Sequence, residues 1–459
     1  MRGNPIPGSF RDPSGFLFVL EGLLYRRINY SYKDNYDHLV SSGLYGDLVE
    51  RGLLIPHEEV TLDAQEASGA YKILKPEKVP FISYPYSWCF SQLKHAAQAT
   101  LEIQKTALEY GMTLKDCSAY NIQFYKGRPV LIDTLSFEMY QDGQPWTPYK
   151  QFCQHFLAPL ALMSLKDIRF YKMSRLDIDG VPLDFASTIL PFRTYFSFPL
   201  LLHIHLHAKS QKHYSDKVVD KNKRTAKVSR SALLGLIGSL ESAISKLKWR
   251  PEGTEWVDYY QDDSYTDEAL EHKMQLVNQY LDMQKPNIVW DLGANTGMYS
   301  RIASGKGAMT VSFDVDPACV EVSYLESVKR KETNILPLIL DLTNPSPRIG
   351  WANEERMSIH DRGPADMVIA LALIHHLAIS NNVPLSKVAS FFASICRALI
   401  VEFVPKSDAK VKKLLTTRED VFPNYTQQDF EESFGKIFEI QASNQIEHSE
   451  RTLYLMIKR

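Results

Sequence analysis

The stretch VWDLGANTGMYS, residues 289–300, constrains the fold of this chain more than any other feature. An apolar run ends at Asp291, and Gly293 and Gly297 follow it, four residues apart, on either side of Asn295. Glycine has no Cβ and adopts positive φ freely, and asparagine tolerates the left-handed conformation better than most residues. The pattern therefore predicts a sharp turn between a strand and a helix. In open parallel sheets, ligands bind beyond the carboxyl ends of the strands, where such turns lie.

The chain beyond this turn carries further apolar runs, at spacings that suit strands alternating with helices. Continuous runs of Val, Ile and Leu are typical of strands buried on both faces, as in a parallel sheet covered by helices. The final two runs are joined by a short polar turn, which predicts an antiparallel hairpin at the sheet edge. The predicted strands are residues 287–293, 309–315, 335–342, 365–373, 398–404, 436–446 and 451–459, and helical patterns at 231–249 and 266–284 precede them.

Three ligand classes use such glycine turns. A phosphate-binding loop needs GxxxxGK[ST], whereas Gly305 and Lys306 are followed here by Gly307. A dinucleotide site needs GxGxxG, which GANTGM does not match. The class that remains is a nucleoside without phosphates whose charged group is an amino acid.

The segment 291–297 resembles motif I of the class I S-adenosylmethionine-dependent methyltransferases, and the resemblance covers residues 255–459. In that family an acidic residue at the end of the second strand holds both ribose hydroxyls, a task that suits a carboxylate because it can accept from two hydroxyls at once. An Asp at the end of the third strand accepts a hydrogen bond from the adenine amino group. The resemblance implies that S-adenosylmethionine is bound by Asp291, Gly293, Asn295, Gly297, Asp314, Asp341 and Leu342.

The same resemblance implies the fold and the class of reaction. The fold class is α/β, with a seven-stranded Rossmann-like sheet whose last strand is antiparallel. The activity is methyl transfer from S-adenosylmethionine to a small-molecule or glycan acceptor. The glycan expectation comes from a more distant similarity of the whole chain to rhizobial host-specificity nodulation proteins, besides its similarity to bacterial methyltransferases of this length. A non-catalytic module that holds the cofactor stays open as an alternative.

Two adjacent histidines, His375 and His376, follow the fourth predicted strand, where this family faces its methyl acceptor. Either is a candidate general base, and the alternative, that one packs against or caps the next helix, stays open. The (D/N)PP(Y/F) signature of amino-group methylation on bases is absent, since this position reads ALIHHL. This favours a hydroxyl, carboxyl or carbon acceptor. Glu402, which ends the fifth predicted strand, is a further candidate for the same cleft.

The N-terminal half contains a second motif, in residues 113–137. Asp116 and Asn121 have Asp-x4-Asn spacing, and a predicted hairpin then leads to Asp133. This resembles the catalytic segment of the kinase-like phosphotransferases, in which the first Asp orients the accepting hydroxyl while the Asn and the later Asp hold magnesium. The resemblance implies an α+β kinase-like domain.

The N-terminal half also departs from that family. Residues 14–28 read as a hairpin without GxGxxG over the phosphates, and Arg26 and Arg27 stand near the place of the expected lysine. We therefore predict a degenerate kinase-like domain that recognises a substrate for the methyltransferase. An active phosphotransferase, which would make the protein bifunctional, and a domain in which Asp116 and Asn121 are structural caps stay open.

Composition sets the domain boundaries. Residues 208–230 carry eight Lys/Arg against two Asp and almost no apolar side chains, which is typical of a solvated linker, with a basic arm for an anionic partner as the alternative. The predicted domains are therefore 1–207 and 231–459, joined by the linker at 208–230. Within the second domain, residues 256–274 are predicted to begin a helical lid, with Tyr260, Tyr265 and Lys273 as candidate cofactor contacts.

The remaining features of the composition exclude several classes of protein. A net charge of −2 gives no general reason to expect nucleic acid or an anionic membrane as a partner. The five cysteines form no CxxC pair, which argues against disulfides and a cysteine zinc site and favours the cytoplasm. The apolar runs are too short to span a bilayer, and no signal peptide is visible. HIHLH, residues 203–207, alternates at strand spacing, but no carboxylate or cysteine lies near it in sequence, so no metal is predicted.

Overall fold

The structure, a computed structural model, describes residues 3–63, 69–210, 227–251, 267–416 and 420–459. The chain divides into two compact units. The N-terminal unit comprises Met1–Arg250 and Ile349–Arg356, and the C-terminal unit comprises Pro251–Arg348 and Met357–Arg459. Most of the predicted linker, and the predicted lid contacts Tyr260 and Tyr265, lie outside the described residues.

The N-terminal unit contains, among its described residues, a five-stranded antiparallel sheet in the order β1-β2-β3-β5-β4. Two short antiparallel pairs, β6 with β9 and β7 with β8, lie beyond it. The strands are β1 Asn4–Pro5, β2 Gly15–Leu20, β3 Leu23–Asn29, β4 His57–Val60, β5 Ala70–Pro76, β6 Met112–Leu114, β7 Ile122–Tyr125, β8 Arg128–Leu131 and β9 Phe137–Met139.

The second motif, residues 113–137, lies between two groups of helices in this unit. The predicted hairpin around Lys126 and Gly127 is present, and both residues have positive φ (49° and 76°) in the tight turn between β7 and β8. The α-helices are α1 Lys33–Ser41, α2 Leu44–Glu50, α3 Phe90–Glu109, α4 Tyr149–Phe152, α5 Ala158–Leu165, α6 Met173–Leu176, α7 Leu183–Ile189, α8 Phe198–Leu200 and α9 Arg230–Lys246.

Helix α9 packs with the N-terminal unit, whereas the domain prediction put it at the start of the second domain. Glu241 of α9 pairs with Lys105 of α3 at 2.6 Å, and Lys94 of α3 donates a 2.8 Å hydrogen bond to the carbonyl of Leu247. These contacts join residues far apart in sequence, so the composition shift at 208–230 does not reveal them.

The alternating histidines of HIHLH lie in a π-helix, Leu201–Leu206, and not in a strand. His203 is hydrogen-bonded to Tyr149 and Ser239, and His205 to Ser187 and Thr194. These contacts to hydroxyl groups show two buried histidines satisfied by the surrounding helices. Within the described part of the chain, no group of three or more His, Cys, Asp or Glu side chains is arranged to hold a metal ion.

The C-terminal unit contains, among its described residues, a seven-stranded mixed sheet in the order β12-β11-β10-β13-β14-β16-β15. The first five strands in this order are parallel, and β16 runs antiparallel to both β14 and β15. The strands are β10 Ile288–Leu292, β11 Met309–Asp314, β12 Ile335–Ile339, β13 Ala365–Ala370, β14 Cys396–Phe403, β15 Phe438–Gln445 and β16 Thr452–Lys458. Each predicted strand is present, which confirms the mixed α/β class with a seven-stranded sheet.

The helices of the C-terminal unit alternate with the parallel strands. They are α10 Asp267–Gln284, α11 Met298–Gly305, α12 Pro317–Arg330, α13 Ile359–Arg362, α14 Leu385–Ile395, α15 Ala409–Leu415 and α16 Gln427–Gly435. A cluster of fully buried side chains fills the space between α10 and the sheet, including Val277, Tyr280, Val289 and Ile400. This packing holds α10 against β10, β13, β14 and β16. None of the described helices, in either unit, is long and apolar enough to cross a membrane.

Candidate functional site

A cavity of about 370 Å³ opens in the C-terminal unit at the carboxyl ends of the parallel strands. Six of the seven predicted cofactor residues line it: Asp291, Gly293, Asn295, Asp314, Asp341 and Leu342. They come from three neighbouring strands, β10, β11 and β12, and from the turns that follow. The sequence motifs, which are spread over about fifty positions, therefore meet in one place.

The glycine turn after β10 has the conformation that its sequence predicts. Gly293, Asn295 and Gly297 have φ of 75°, 52° and 84°. The amides of Gly293 and Ala294 both donate to the carbonyl of Phe313 at 2.9 Å, which ties the turn to β11. The backbone is thereby folded back under the cavity, with no Cβ at Gly293 to fill it.

Gly297 is the predicted cofactor residue that does not line the cavity. It precedes the first residue of α11, and a Cβ there would lie 2.8 Å from the Ser323 hydroxyl oxygen. The adjacent carbonyl of Thr296 accepts a 2.7 Å hydrogen bond from Arg301. Helix packing and a positive φ are thus enough to require glycine at this position, and its role in cofactor binding stays a prediction.

Asp314, at the end of β11, presents its carboxylate to the cavity. One oxygen accepts the backbone N–H of Asn295 at 2.8 Å and the other accepts the N–H of Asp316 at 2.9 Å. A carboxylate has about four acceptor positions, more than these backbone hydrogen bonds fill. Burial raises the pKa of Asp314 to about 6, against which backbone hydrogen bonds from Asp316, Asn295 and Val315 act.

Asp291 is more deeply buried, at 2% exposure, and accepts a 2.6 Å hydrogen bond from the Ser300 hydroxyl. Burial raises the pKa of Asp291 to about 7, and the nearby Asp314 carboxylate acts in the same direction. Two carboxyl groups with raised pKa values on adjacent strands are typical of a binding site, because a purely structural carboxylate is ordinarily paired.

Asp341 follows β12 and is held in a local turn. One oxygen of its carboxylate accepts both the backbone N–H (2.9 Å) and the hydroxyl (2.6 Å) of Thr343. The turn presents Asp341 and Leu342 side by side on the cavity wall.

The two histidines after β13 have different surroundings. His376 lines the cavity, whereas His375 is 1% exposed and is absent from the cavity wall. Burial holds the pKa of His375 well below its usual range, and the adjacent His376 ring acts in the same direction. The rings lie 4.2 Å apart between centroids. Of the two predicted bases, His376 is therefore the one that a substrate in the cavity could contact.

A buried ion pair borders the cavity. The ammonium of Lys273, on α10, lies 2.7 Å from the carboxylate of Glu402, on β14, and both side chains are buried. The same Glu402 oxygen accepts the backbone N–H of Ala372 at 2.7 Å, a cavity residue with φ of 47°. Glu402 thus stabilises a strained loop position. The sequence singled out both charged residues, but not that they pair, because they are 129 positions apart.

The kinase-like motif residues lie in a different environment. The carboxylate of Asp133 is paired with Arg26 and accepts hydrogen bonds from the Ser136 hydroxyl (2.6 Å) and the Leu135 amide (3.3 Å). The Asn121 side chain donates to that same hydroxyl at 3.5 Å. A partly buried arginine thus occupies the Asp133 carboxylate that a magnesium ion would need.

Asp116 makes a local contact in this motif. Its carboxylate accepts the backbone N–H of Ser118 at 2.9 Å, a short turn that precedes the one-turn helix at Ala119–Asn121. The helix itself is capped by Ser118, whose hydroxyl accepts the backbone N–H of Tyr120. The cap and catalytic alternatives for Asp116 both stay predictions.

Comparison with known proteins gives one strong match over the whole chain. No family model matches. The chain is 36% identical over 459 residues to nodulation protein NoeA of Rhizobium meliloti (strain 1021), covering 99% of this chain and 96% of that protein. The chain belongs to the NoeA family. Its two units therefore occur together, in one order, in another member of the family.

Solved structures match less of the chain. Magnesium protoporphyrin IX methyltransferase from Synechocystis PCC 6803, with bound S-adenosylhomocysteine, is 20% identical, with a TM-score of 0.32 over 45% of this chain and 90% of that one. The N-methyltransferase NodS from Bradyrhizobium japonicum WM9 is 8% identical, with a TM-score of 0.32 over 42% and 97%. The bifunctional kinase-methyltransferase WbdD is 17% identical, with a TM-score of 0.30 over 47% and 45%. All three are named as methyltransferases, and the kinase-like resemblance of the N-terminal half is unconfirmed.

Proposed function

We propose that the C-terminal unit binds S-adenosylmethionine and transfers its methyl group to a small-molecule or glycan acceptor. One observation carries this proposal: the acidic ends of β10, β11 and β12 and the glycine turn open on the same cavity. A volume of about 370 Å³ lies in the range of small-molecule sites, roughly 300–1,000 Å³.

The chemistry of the cavity wall fits this ligand. Asp314 lines the cavity and keeps acceptor capacity beyond its backbone hydrogen bonds, which suits ribose hydroxyls. Asp341 and Leu342 lie on the wall next to it and suit the adenine edge. The turn at Gly293 leaves space over the backbone, since a Cβ built there has its nearest neighbour at 3.5 Å. Lys273 lies on the cavity wall, and its charge is balanced by Glu402, which also pairs with Arg451.

When bound, S-adenosylmethionine supplies an electrophilic methyl group. The positive charge of the donor disappears during transfer, so the protein has little new charge to stabilise. Its task is then to align an acceptor and to take up the acceptor's proton. His376 is the proposed base, since it lines the cavity, whereas His375 is buried behind it. The acceptor atom would be oxygen or carbon, in keeping with the absence of the amino-group signature.

Methyl transfer can be tested with methyl-labelled S-adenosylmethionine and fractionated cell extracts. We expect one fraction to gain label with the native protein and, at low cofactor concentration, to gain much less with Asp314→Ala. His376→Ala should lower the rate and leave cofactor affinity unchanged, whereas loss of affinity in that variant would show that His376 holds the nucleoside. Firm cofactor binding with no labelled product in any fraction would favour the non-catalytic module.

The bifunctional alternative has weaker support. The Asp133 carboxylate is neutralised by Arg26, and the β2–β3 hairpin closes in a two-residue turn at Glu21 and Gly22, with φ of 52° and 79°. Such a tight turn offers little backbone to cover phosphates. We therefore propose substrate recognition as the role of the N-terminal unit.

A further inference from the structure

An exposed aromatic corner lies in the N-terminal unit at residues 192–198, between α7 and the start of α8. Phe192, Phe196 and Phe198 are 75%, 80% and 69% exposed, within seven positions of one another. Phe192 and Phe196 belong to one short 3-10 helix, and their rings make an edge-on contact at 5.7 Å between centroids. Scattered exposed apolar residues are ordinary, but three neighbouring phenyl rings directed into solvent require an explanation.

The corner is anchored from beneath. Tyr195 stacks on His205 with 3.8 Å between ring centroids, and Thr194 is buried and hydrogen-bonded to the same histidine at 2.8 Å. Because this side of the short helix is fixed to the buried histidine, the phenyl rings cannot turn inward without breaking these contacts. The apolar surface is thus a projecting feature of the folded unit.

Two exposed basic residues lie close to the corner in sequence. Arg193 lies between the phenyl rings and is exposed, and Lys209 is exposed just beyond the π-helix. The chain then continues with a basic composition, eight Lys/Arg against two Asp over residues 208–230. Projecting aromatic rings flanked by basic residues are the combination that binds the interface of an anionic bilayer, where rings enter the headgroup region and cations contact lipid phosphates.

We propose that Phe192, Phe196 and Phe198, with Arg193 and Lys209, form a surface that docks on anionic lipid membranes. A projecting corner suits a deformable lipid interface, and its charge favours anionic lipids over neutral ones. This inference is independent of the methyltransferase proposal, since it concerns the other unit and either can fail alone.

Vesicle flotation of the full chain tests the proposal. We expect flotation with vesicles that contain phosphatidylglycerol, little with phosphatidylcholine alone, and weaker flotation as salt is raised. Replacing the three phenylalanines by serine should reduce binding by roughly tenfold or more, since burial of even one ring is worth that much. The matched control is Phe10→Ser, an exposed phenylalanine of the same unit at 57% exposure, which should float like the native protein.

Two further measurements keep the test decisive. Circular dichroism verifies folding of the triple variant, and a single Phe196→Trp variant should show a blue shift of tryptophan emission with anionic vesicles, relative to the native protein under the same conditions. No flotation at low salt, or equal flotation of the triple variant, would overturn the proposal. A native dimer that the triple variant converts to a monomer, with no vesicle binding, would assign the corner to a second copy of the chain instead.

Discussion

The two units each place an aspartate after or at the end of a β-strand, and the two carboxylates have opposite surroundings. Asp133 of the N-terminal unit is paired with Arg26 and hydrogen-bonded to Ser136. Asp314 of the C-terminal unit accepts two backbone N–H groups and faces a cavity. A carboxylate neutralised by a cation of the same chain stabilises the fold, whereas one held by backbone amides at a cavity can still accept from a ligand. Asp133 thus has the surroundings of a carboxylate that stabilises the fold, whereas Asp314 has the surroundings that the proposed nucleoside site requires.

Glu402 is the extreme case of a neutralised carboxylate, because it and both of its partners, Lys273 and Arg451, are buried. Glu402→Gln should lower the free energy of unfolding by about 3–5 kcal/mol, since it leaves an uncompensated buried charge. Chemical denaturation measures this loss. The control is Glu439→Gln, an exposed carboxylate on β15, which should change stability little. Equal stability of Glu402→Gln and the native protein would show that Lys273 is neutral in the fold.

Asp133→Ala should have the next largest effect on stability. We expect the free energy of unfolding to fall by about 2–4 kcal/mol. This is less than for a fully buried pair, because the Arg26 and Asp133 side chains are 11% and 14% exposed. Affinity for S-adenosylhomocysteine should not change, because the residue lies in the other unit. A stable Asp133→Ala protein would contradict the structural role assigned to this carboxylate.

Asp314→Ala should show the reverse pattern. Cofactor affinity should weaken by about 1–3 kcal/mol, the cost of a lost hydrogen bond to a charged group. Asp366→Ala is a matched control, since its carboxylate accepts the amides of Asn287 and Ile288 at 3.0 Å at the opposite end of β10. Calorimetric titration of both variants separates the two positions. Equal affinity in the Asp314 and Asp366 variants would show that the nucleoside is placed wrongly.

The pH dependence of binding should follow the raised pKa of Asp314, about 6. Protonation removes acceptor positions, so affinity should fall as pH decreases from about 8 to about 5. The effect on stability has the opposite sign. Because the folded pKa lies above the unfolded value, this group favours the folded state below pH of about 4 and loses that contribution as pH rises through about 6. Affinity that is constant over this range would exclude Asp314 from the binding site.

The smallest expected effect is that of Mg·ATP on the N-terminal unit. With Asp133 occupied by Arg26, we expect no shift in melting temperature when Mg·ATP is added to the native protein. A magnesium-dependent shift that Asp133→Ala abolishes would contradict this and restore the active phosphotransferase.

Much of the fold could be predicted from the sequence because its signals are local. Runs such as 309–315 and 398–404 become β11 and β14 with ends displaced by one or two residues. The turn at Asn295 could be predicted because its conformation depends on residue type. HIHLH alternates at strand spacing but lies in a π-helix, because alternation over only five residues does not distinguish the two. The hydroxyl groups that satisfy its histidines come from distant positions.

The remainder of the site depends on pairing across the chain. Lys273 and Glu402 are 129 positions apart, and Arg26 and Asp133 are 107 apart, so no local pattern links them. The positive φ of Ala372 is equally hidden, because nothing in its residue type requires it. His375 and His376 likewise differ in burial, and two adjacent identical residues give no sequence signal of that difference.

The most direct test of a nucleoside site at the ends of β10, β11 and β12 is calorimetric titration of the purified chain with S-adenosylhomocysteine. Two temperatures are needed, because a binding enthalpy can vanish at one of them. The account predicts saturable heat with one site per chain. Absence of heat at both temperatures, with S-adenosylmethionine as well as with S-adenosylhomocysteine, would contradict it.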